Sequence, residues 1–332
     1  MQSPVIRLLR QSILTEHDKL NILTFPTHER YQEGLAKTGH NFYLWQGQNI
    51  KDWNNKFAPL PKNHVLLNPS HGQNQIPIDV EIDLILSQNK FGQFDVAHKL
   101  SSIMNVPLIS LEHTLPLPGR EYDVAIMRRM VGHKNVFISE YSRGLWGWKE
   151  QDADVIHHGI DTDRFFPSKE ERNKVILSVV NDWINRDVFC GFKIWQRVSH
   201  GLPVKVIGDT PGLSQPAANH QELLNAYQSS RIFLNTSTIS PVPTALMEAM
   251  ACGCAVVSTA TCMIPEIIKN GENGFISNNE NHLRLYLEEL LSNDDLAKKV
   301  GEAARQTILD RFPLCRFIDK WNNLFYNTVS EN

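Results

Sequence analysis

The chain has 332 residues, of which 42% are hydrophobic and 21% are charged, and its formal net charge is −3. This length favours two domains of about 150 residues each over a single core. The charge balance provides no basic field for nucleic acid, and every apolar run is shorter than the ~20 residues that a membrane span requires.

The N-terminal segment mixes apolar and basic residues, namely Ile6, Arg7, Leu8, Leu9 and Arg10. Because the arginines interrupt the apolar positions, the segment lacks the apolar core of a signal peptide. A segment of this kind could make a weak peripheral contact with a membrane surface. A docking segment within the protein is the alternative.

In the first half, apolar runs of strand length alternate with helical patterns such as Phe94–Met104, which predicts a parallel α/β sheet. The predicted strands are Leu20–Phe25, Phe42–Trp45, His64–Leu67, Ile82–Leu86, Pro107–Leu111, Val136–Ile138 and Asp154–His157. The turn-rich segment Gly159–Pro167, followed by a charged stretch, reads as a linker. We therefore expect an N-terminal domain over residues 1–158 and a second domain over residues 159–313.

The second half repeats the same alternation. Its predicted strands are Val175–Val180, Val204–Ile207, Ile232–Asn235, Ala255–Ser258 and Gly274–Ile276. Its predicted helices are Phe189–His200, His220–Ser229, Thr244–Ala251, Pro265–Lys269, Glu280–Leu291 and Asp294–Asp310. A final helix, Leu314–Thr328, is rich in aromatic residues, and this apolar stripe is wider than one domain surface needs.

All five cysteines lie in the second half, at positions 190, 252, 254, 262 and 315. An odd number without framework spacing argues against a disulfide scaffold and favours the reducing cytoplasm. Cys252 and Cys254 flank a glycine at a helix-to-strand junction. Because there is no second pair of ligands, we interpret them as small buried residues and not as metal ligands.

Pro243 and Thr244 begin a helix that faces the carboxyl edge of a predicted strand. The backbone amides of Thr244, Ala245 and Leu246 lie where a helix N-terminus concentrates positive partial charge, and this arrangement can hold a phosphate group. Pro243 removes a competing donor and fixes the entry turn. A helix cap without a ligand is the simpler alternative.

Glu248 lies one helical turn beyond that start, on the face shared with Thr244. An ionised carboxylate can accept hydrogen bonds from both hydroxyls of a ribose. The neighbouring residues are Ala245, Leu246, Met247, Ala249 and Met250. These apolar neighbours argue against an ordinary solvent-facing glutamate.

The segment Ser240–Ile276 (SPVPTALMEAMACGCAVVSTATCMIPEIIKNGENGFI) resembles the nucleotide-sugar-binding segment of retaining GT-B glycosyltransferases, above all glycosyltransferase family 4. His157–Pro167 resembles the linker motif of that family, and Lys205–Asp209, with Gly208, resembles its second C-terminal strand and turn. The resemblance implies two Rossmann-like α/β domains that face a cleft. It also implies that residues 314–332 form a helix that packs back on the N-terminal domain; a helix docked on its own domain is the alternative.

By this resemblance, Glu248 matches the second glutamate of the E-x7-E motif, and Arg186 matches an arginine directed at the diphosphate. Ser240 stands where the first glutamate is usual, near the transferred sugar, and brings a hydroxyl without a charge. Cys190 stands in the place of a usual lysine. Lys193 could substitute for that lysine from the next turn.

In the first half, His113 ends a strand where many family members keep a histidine facing the cleft. His113 could bind the sugar or orient the acceptor hydroxyl, because an imidazole ordinarily titrates near the working pH; a structural histidine is the alternative. Arg120 and Arg143 could contact the acceptor or a phosphate, or could be plain surface arginines. The glycine-rich loop usual after the first strand is replaced by residues 26–30.

The resemblance implies a hexosyl-type glycosyltransferase that moves a sugar from a nucleotide-diphosphate sugar to the hydroxyl of a glycan or lipid-linked acceptor, with retention of configuration. Arg186 and the helix amides would stabilise charge on the leaving diphosphate. No metal or other cofactor is expected, because Asp161 and Asp163 are better explained as a turn. The alternatives are a nucleotide-sugar epimerase of GT-B fold and a non-catalytic sugar-nucleotide or glycan-binding protein.

Overall fold

The computed structural model describes residues 15, 18–47, 50–68, 76–77, 80–119 and 121–331. The N-terminal segment considered for membrane contact and Arg120 lie outside these residues. By their contacts, the residues up to Ile138, Arg143–His157 and the residues from Cys315 onward form a first unit. Ser139–Ser142 and His158–Leu314 form a second unit. The sequence did not indicate that Ser139–Ser142 would group with the second unit.

Within the described ranges, the first unit is built on a seven-stranded sheet in the order β3-β2-β1-β4-β5-β6-β7. Its strands are β1 (Asn21–Thr24), β2 (Asn41–Trp45), β3 (His64–Leu67), β4 (Leu84–Ser87), β5 (Leu108–Glu112), β6 (Lys134–Phe137) and β7 (Asp154–Val155). Adjacent strands are parallel, as where Ile22 pairs with Phe42 on one side and Leu84 on the other. The seven strands predicted for this half are therefore confirmed, with ends shifted by one or two residues.

Helices flank this sheet and cover its apolar residues. They are α1 (Glu29–Ala36), α2 (Lys90–Met104), α3 (Glu121–Met127), α4 (Glu140–Leu145), whose first residues belong to the second unit, a 3-10 turn (Glu150–Asp152) and the C-terminal helix, α12 (Leu314–Ser330). The aromatic stripe of α12 packs on the first unit: Trp321 is fully buried, and its indole N–H donates to the Tyr31 hydroxyl over 3.1 Å. The Tyr326 hydroxyl donates to the Asp18 carbonyl.

The second unit is built on a five-stranded parallel sheet in the order β12-β11-β10-β8-β9. Its strands are β8 (Asn173–Val179), β9 (Val204–Ile207), β10 (Ser230–Asn235), β11 (Ala255–Ser258) and β12 (Phe275–Ile276). Ile232 of the central strand pairs with Ala255 and with Ile176. The strands predicted for this half are thus confirmed, and both halves have the parallel α/β architecture that the sequence predicted.

The helices of the second unit are α5 (Asp187–Cys190), α6 (Phe192–Ser199), α7 (His220–Ser229), α8 (Thr244–Ala251), α9 (Ile264–Ile267), α10 (Glu280–Ser292) and α11 (Asp294–Arg311). The predicted helix Phe189–His200 is wrong in one respect, because Gly191 interrupts it with a φ of +63°. A Cβ at Gly191 would lie 2.0 Å from the Thr236 carbonyl oxygen, so the backbone approaches its neighbour where only glycine fits. Across the described part of the chain, no helix has the length and apolarity needed to cross a membrane.

The C-terminus of α8 is held by two arginines. Arg172 donates to the carbonyl oxygens of Cys252 and Ser230, and Arg305 donates to that of Ala251. The cations satisfy carbonyls at the negative end of the helix dipole. Cys252 and Cys254 are both fully buried beside this clamp, as expected for small buried residues at this junction.

Candidate functional site

The strand order of the second sheet reverses between β8 and β10. In open parallel sheets, the carboxyl edge at such a switch point is where ligands bind. The chain leaves β8 at Val179 and β10 at Asn235, and the loops that follow, together with the helices α6 and α8 after them, carry most of the donor-site residues predicted from the sequence.

Gly208 fixes the loop after β9 against the loop after β8. Its φ is +139°, and a Cβ there would lie 1.9 Å from the Val180 carbonyl oxygen. The Asp209 amide donates to Asn181 Oδ1, and the Asp182 amide donates to the Asp209 carbonyl over 2.7 Å. The structure therefore gives Gly208 a backbone role: it lets two loops of the edge meet.

Arg186 lies in the loop after β8, immediately before α5, and its side chain is exposed. The guanidinium donates a long hydrogen bond of 3.4 Å to the Asn181 carbonyl. Lys193 is also exposed, and its ammonium lies 3.6 Å from Asp187 Oδ2 while its amide donates to Asp187 Oδ1. Both predicted cations, Arg186 and Lys193, thus lie on one short segment, and the Asp187 carboxylate partly neutralises the charge of Lys193.

Cys190 occupies the place where the resemblance implies a lysine. The residue is 7% exposed, and its carbonyl accepts a hydrogen bond from the Trp183 indole over 2.8 Å. Burial raises the pKa of the Cys190 thiol, with a smaller opposing effect of Arg186. A neutral thiol packed in the core cannot replace a cation.

Hydrogen bonds join the α5 segment to the loop that precedes α8. The Thr236 hydroxyl donates to the Gly191 carbonyl over 2.9 Å. The amides of Thr238 and Ile239 both donate to the Phe189 carbonyl, over 3.0 and 3.1 Å. The structure therefore brings the Arg186 segment and the Ser240 loop together at one edge.

The start of α8 differs from the expectation that three amides face a ligand. The Thr244 amide donates to the Val242 carbonyl, and the Leu246 amide donates to the Pro243 carbonyl, each over 3.0 Å. For Ala245, the remaining amide of these three, the described part of the chain provides no acceptor. The physical reason for the first bond is an inverse γ-turn at Pro243, whose φ of −82° and ψ of 76° point the Thr244 amide back at the Val242 carbonyl.

Ser240 and Glu248 lie on either side of this helix start. Ser240 is half-buried, and nearby the Cys262 thiol donates to the Thr238 carbonyl over 3.6 Å. Glu248 is 7% exposed, and its Oε2 accepts a hydrogen bond of 2.8 Å from the Tyr227 hydroxyl. The sequence predicted the carboxylate but not its phenolic partner, because 21 residues separate the two in the chain.

In the first unit, His113 follows β5 directly and is only 4% exposed, which favours the structural alternative for this histidine over a direct contact with sugar or acceptor. The rings of His28 and Tyr31, from the start of α1, lie edge-on to it at centroid distances of 4.8 and 4.5 Å. The exposed imidazole at this edge is that of His28. Loss of hydration and the Lys51 cation lower the pKa of His28.

For Arg143, the sequence left open an acceptor or phosphate contact and a plain surface arginine. The guanidinium donates to the Ala153 carbonyl over 3.2 Å, so the side chain links α4 to the segment before β7. This structural hydrogen bond favours a packing role for Arg143 over an acceptor contact.

A buried polar cluster that the sequence did not reveal lies behind His113. Lys90 is fully buried, and its ammonium donates to Ser110 Oγ and Asn135 Oδ1 over 2.8 and 3.1 Å. Glu112 is also fully buried and accepts hydrogen bonds from both the amide and the hydroxyl of Thr114. Burial lowers the pKa of Lys90 to about 7 and raises the pKa of Glu112.

No group of three or more histidine, cysteine or acidic side chains in the described ranges is arranged to hold a metal ion.

Three comparisons relate this chain to known proteins. Residues 215–307 match the family model described as glycosyl transferases group 1. A curated relative, N-acetyl-alpha-D-glucosaminyl L-malate synthase of Bacillus anthracis, is 26% identical over 89 residues. That match covers 26% of this chain and 23% of the relative, so the chain spans about a quarter of the length of this relative.

Solved structures match over nearly the whole chain. Anabaena HepE in complex with UDP and glucose has a TM-score of 0.73 at 15% identity, over 92% of this chain and 99% of its own. Sucrose-phosphate synthase from Thermosynechococcus elongatus has a TM-score of 0.73 at 13% identity, over 95% of this chain and 100% of its own. The chain has a GT-B fold, and its residues 215–307 match the group 1 glycosyltransferase model. Within the matched segment lie Ser240, the start of α8 and Glu248, whereas Arg186, Lys193 and Gly208 precede it.

Proposed function

We propose that this protein is a glycosyltransferase that moves a sugar from a nucleotide-diphosphate sugar to an acceptor hydroxyl, with retention of anomeric configuration. The observation that carries the proposal is the grouping of Arg186, the start of α8 and the buried carboxylate of Glu248 at one carboxyl edge. The group 1 segment and the UDP-glucose bound to Anabaena HepE support the ligand class.

At this edge, the diphosphate of the donor meets the exposed Arg186 guanidinium, whose planar fork can hold two phosphate oxygens. The Ala245 amide adds a donor at the positive end of α8. Glu248 accepts hydrogen bonds from the ribose hydroxyls, and Ser240 offers a hydroxyl to the transferred sugar. As the bond to the sugar breaks, negative charge grows on the leaving diphosphate, and Arg186 stabilises it.

The acceptor, a glycan or a lipid-linked sugar, binds the first unit in this proposal. The buried His113 ring contacts the His28 ring, and His28 is the exposed residue of the pair, so in this proposal His28 is the imidazole that meets the acceptor. Because its pKa is lowered, His28 is neutral at pH 7 and can accept a hydrogen bond from a hydroxyl.

We also propose that transfer needs no metal ion held by the protein, since Arg186 and Lys193 supply cationic charge. Addition of a chelator should leave the rate unchanged. A rate that collapses with chelator and recovers with a divalent cation would contradict this part of the proposal.

A thermal-shift screen against UDP-, GDP- and ADP-sugars tests the donor site. We expect one of these donors to raise the melting temperature, and Glu248→Ala to abolish the shift. Glu289→Ala is a matched control, because Glu289 is exposed on α10, away from this edge. If Glu248→Ala kept the full shift, the ribose assignment would be wrong.

Two observations favour a second candidate, a non-catalytic sugar-nucleotide or glycan-binding protein. Cys190 is a buried thiol where the resemblance implies a cation, and Ser240 carries no charge. Release of nucleoside diphosphate from the bound donor separates the candidates, because a binding protein stabilises the donor without cleaving it. Interconversion of the donor sugar without any acceptor would identify an epimerase instead.

A further inference from the structure

The hydroxyl of Tyr227 is placed against the carboxylate of Glu248 by a rigid environment. Tyr227 is fully buried on α7, and its ring contacts those of Phe165 and Phe233, each at a centroid distance of 6.0 Å. From this fixed position the hydroxyl donates to Glu248 Oε2 over 2.8 Å.

The backbone of Tyr227 is fixed as well. Its carbonyl oxygen accepts hydrogen bonds from Arg172 Nη1 over 2.8 Å and from the Cys254 thiol over 3.1 Å. Arg172 also holds the Cys252 carbonyl at the far end of α8, the helix that carries Glu248. One arginine therefore sets α7 and α8 in register, and that register places the phenol beside the carboxylate.

A carboxylate with little solvent contact loses much of its hydration and needs donors from the protein. A short hydrogen bond from a phenol that cannot move also favours one rotamer of the glutamate. The orientation is then present before a ligand arrives, which removes part of the ordering cost of binding.

We propose that Tyr227 is a positioning residue that orients the Glu248 carboxylate for hydrogen bonds with the ribose hydroxyls of a bound ribonucleoside diphosphate. The proposal rests on the donor site proposed above and adds to it a residue that acts through Glu248 and not on the ligand. A positioning role of this kind predicts a selective effect. Removal of the phenolic hydroxyl should weaken recognition of the ribose and leave recognition of the diphosphate intact.

The test compares ligands with and without the ribose hydroxyls. UDP, GDP and ADP, each beside its 2′,3′-dideoxy form, are titrated calorimetrically into the wild-type protein and into Tyr227→Phe. The nucleoside diphosphate that binds the wild-type protein, together with its dideoxy form, is then used for all variants. Tyr286→Phe is the matched control, because Tyr286 stacks on Phe275 of the edge strand β12, away from Glu248.

We expect Tyr227→Phe to weaken binding of the ribonucleotide roughly tenfold, equivalent to about 1.4 kcal/mol, and to change binding of the dideoxy form less than twofold. Tyr286→Phe should change neither. Equal weakening of both forms by Tyr227→Phe would show a merely structural residue and overturn the proposal. If none of the three ribonucleotides binds the wild type, the proposed donor site is wrong, and this inference, which rests on it, is wrong as well.

A second variant keeps the test decisive if Tyr227→Phe does not fold. The double variant Tyr227→Phe/Glu248→Gln removes the buried charge together with its donor. We expect its preference for the ribonucleotide over the dideoxy form to equal that of Glu248→Gln alone. A further loss of preference in the double variant would mean that Tyr227 acts independently of Glu248, contrary to the proposal.

Discussion

The backbone N–H of Lys90 donates to the Glu112 carboxylate over 2.8 Å, while the ammonium of the same residue donates to the Ser110 hydroxyl over 2.8 Å. Both ends of Lys90 thus tie the start of α2 to β5, whose last residue, Glu112, precedes His113. A fully buried lysine of this kind makes the stability of the first unit depend on pH.

Lys90→Met should remove a pH dependence of stability. Burial lowers the pKa of Lys90 from its ordinary 10.5 to about 7. Between these values the unfolded chain holds a proton that the folded chain lacks, so the free energy of unfolding rises with pH. We expect the wild type to gain roughly 1 kcal/mol per pH unit relative to Lys90→Met between pH 7 and 9, measured by urea unfolding.

Lys99→Met is the matched control for this experiment, because Lys99 is exposed on the same helix. It should leave the slope of stability against pH unchanged. Parallel curves for the wild type and Lys90→Met would contradict a lowered pKa for Lys90.

Gly208→Ala should destabilise the second unit strongly. The new Cβ would lie 1.9 Å from the Val180 carbonyl oxygen, so one of the two loops must move. We expect a loss of about 3 kcal/mol in urea unfolding, within the range of severe single substitutions. Gly212→Ala is the control, because Gly212 also has a positive φ, of +80°, but open space around it, and it should cost about 1 kcal/mol. Equal costs at the two positions would argue against the close approach of the loops.

Arg172→Ala should destabilise the second unit by about 2–3 kcal/mol, because three buried carbonyl oxygens lose a charged donor. Those of Tyr227 and Ser230 accept over 2.8 and 2.7 Å, and the third belongs to Cys252. Chemical denaturation beside Lys174→Ala checks this expectation. Lys174 is an exposed neighbour with a surface ion pair to Asp294, worth less than about 1 kcal/mol. A similar small loss for both variants would refute the clamp on α8.

Arg186→Gln should weaken binding of a nucleoside diphosphate about tenfold or more, without lowering the melting temperature. The side chain is exposed, and its one described intramolecular hydrogen bond is a long one, of 3.4 Å. Binding of the corresponding nucleoside, which lacks phosphates, should not change. Arg197→Gln serves as control, since Arg197 pairs with Glu280 on the surface of α6. An equal loss of affinity for nucleoside and nucleoside diphosphate would place Arg186 away from the phosphates.

Most of the fold could be predicted from the sequence, because the period of apolar residues reports burial locally. The strands around Ile22 and Ile232 are short apolar runs, as expected for parallel sheets buried on both faces. The interruption at Gly191 could not be read in the same way. It depends on the carbonyl of Thr236, which is brought close only by the tertiary structure.

The site was less predictable, since its chemistry depends on partners that are distant in the chain. Residue type alone marked Glu248, but the phenol of Tyr227 that holds it lies on another helix. His113 was singled out by its position after a strand, yet the first turn of α1 covers it. The sequence did not indicate that Lys90 is buried, because its acceptors, Ser110 and Asn135, lie on two strands that are distant from it in the chain.

The Phe189 carbonyl oxygen accepts the amides of both Thr238 and Ile239, and Gly191 lies against Thr236 behind it. Arg186 precedes this anchor and Ser240 follows it. A displacement of either residue is therefore transmitted to the other through the backbone hydrogen bonds that join their two segments.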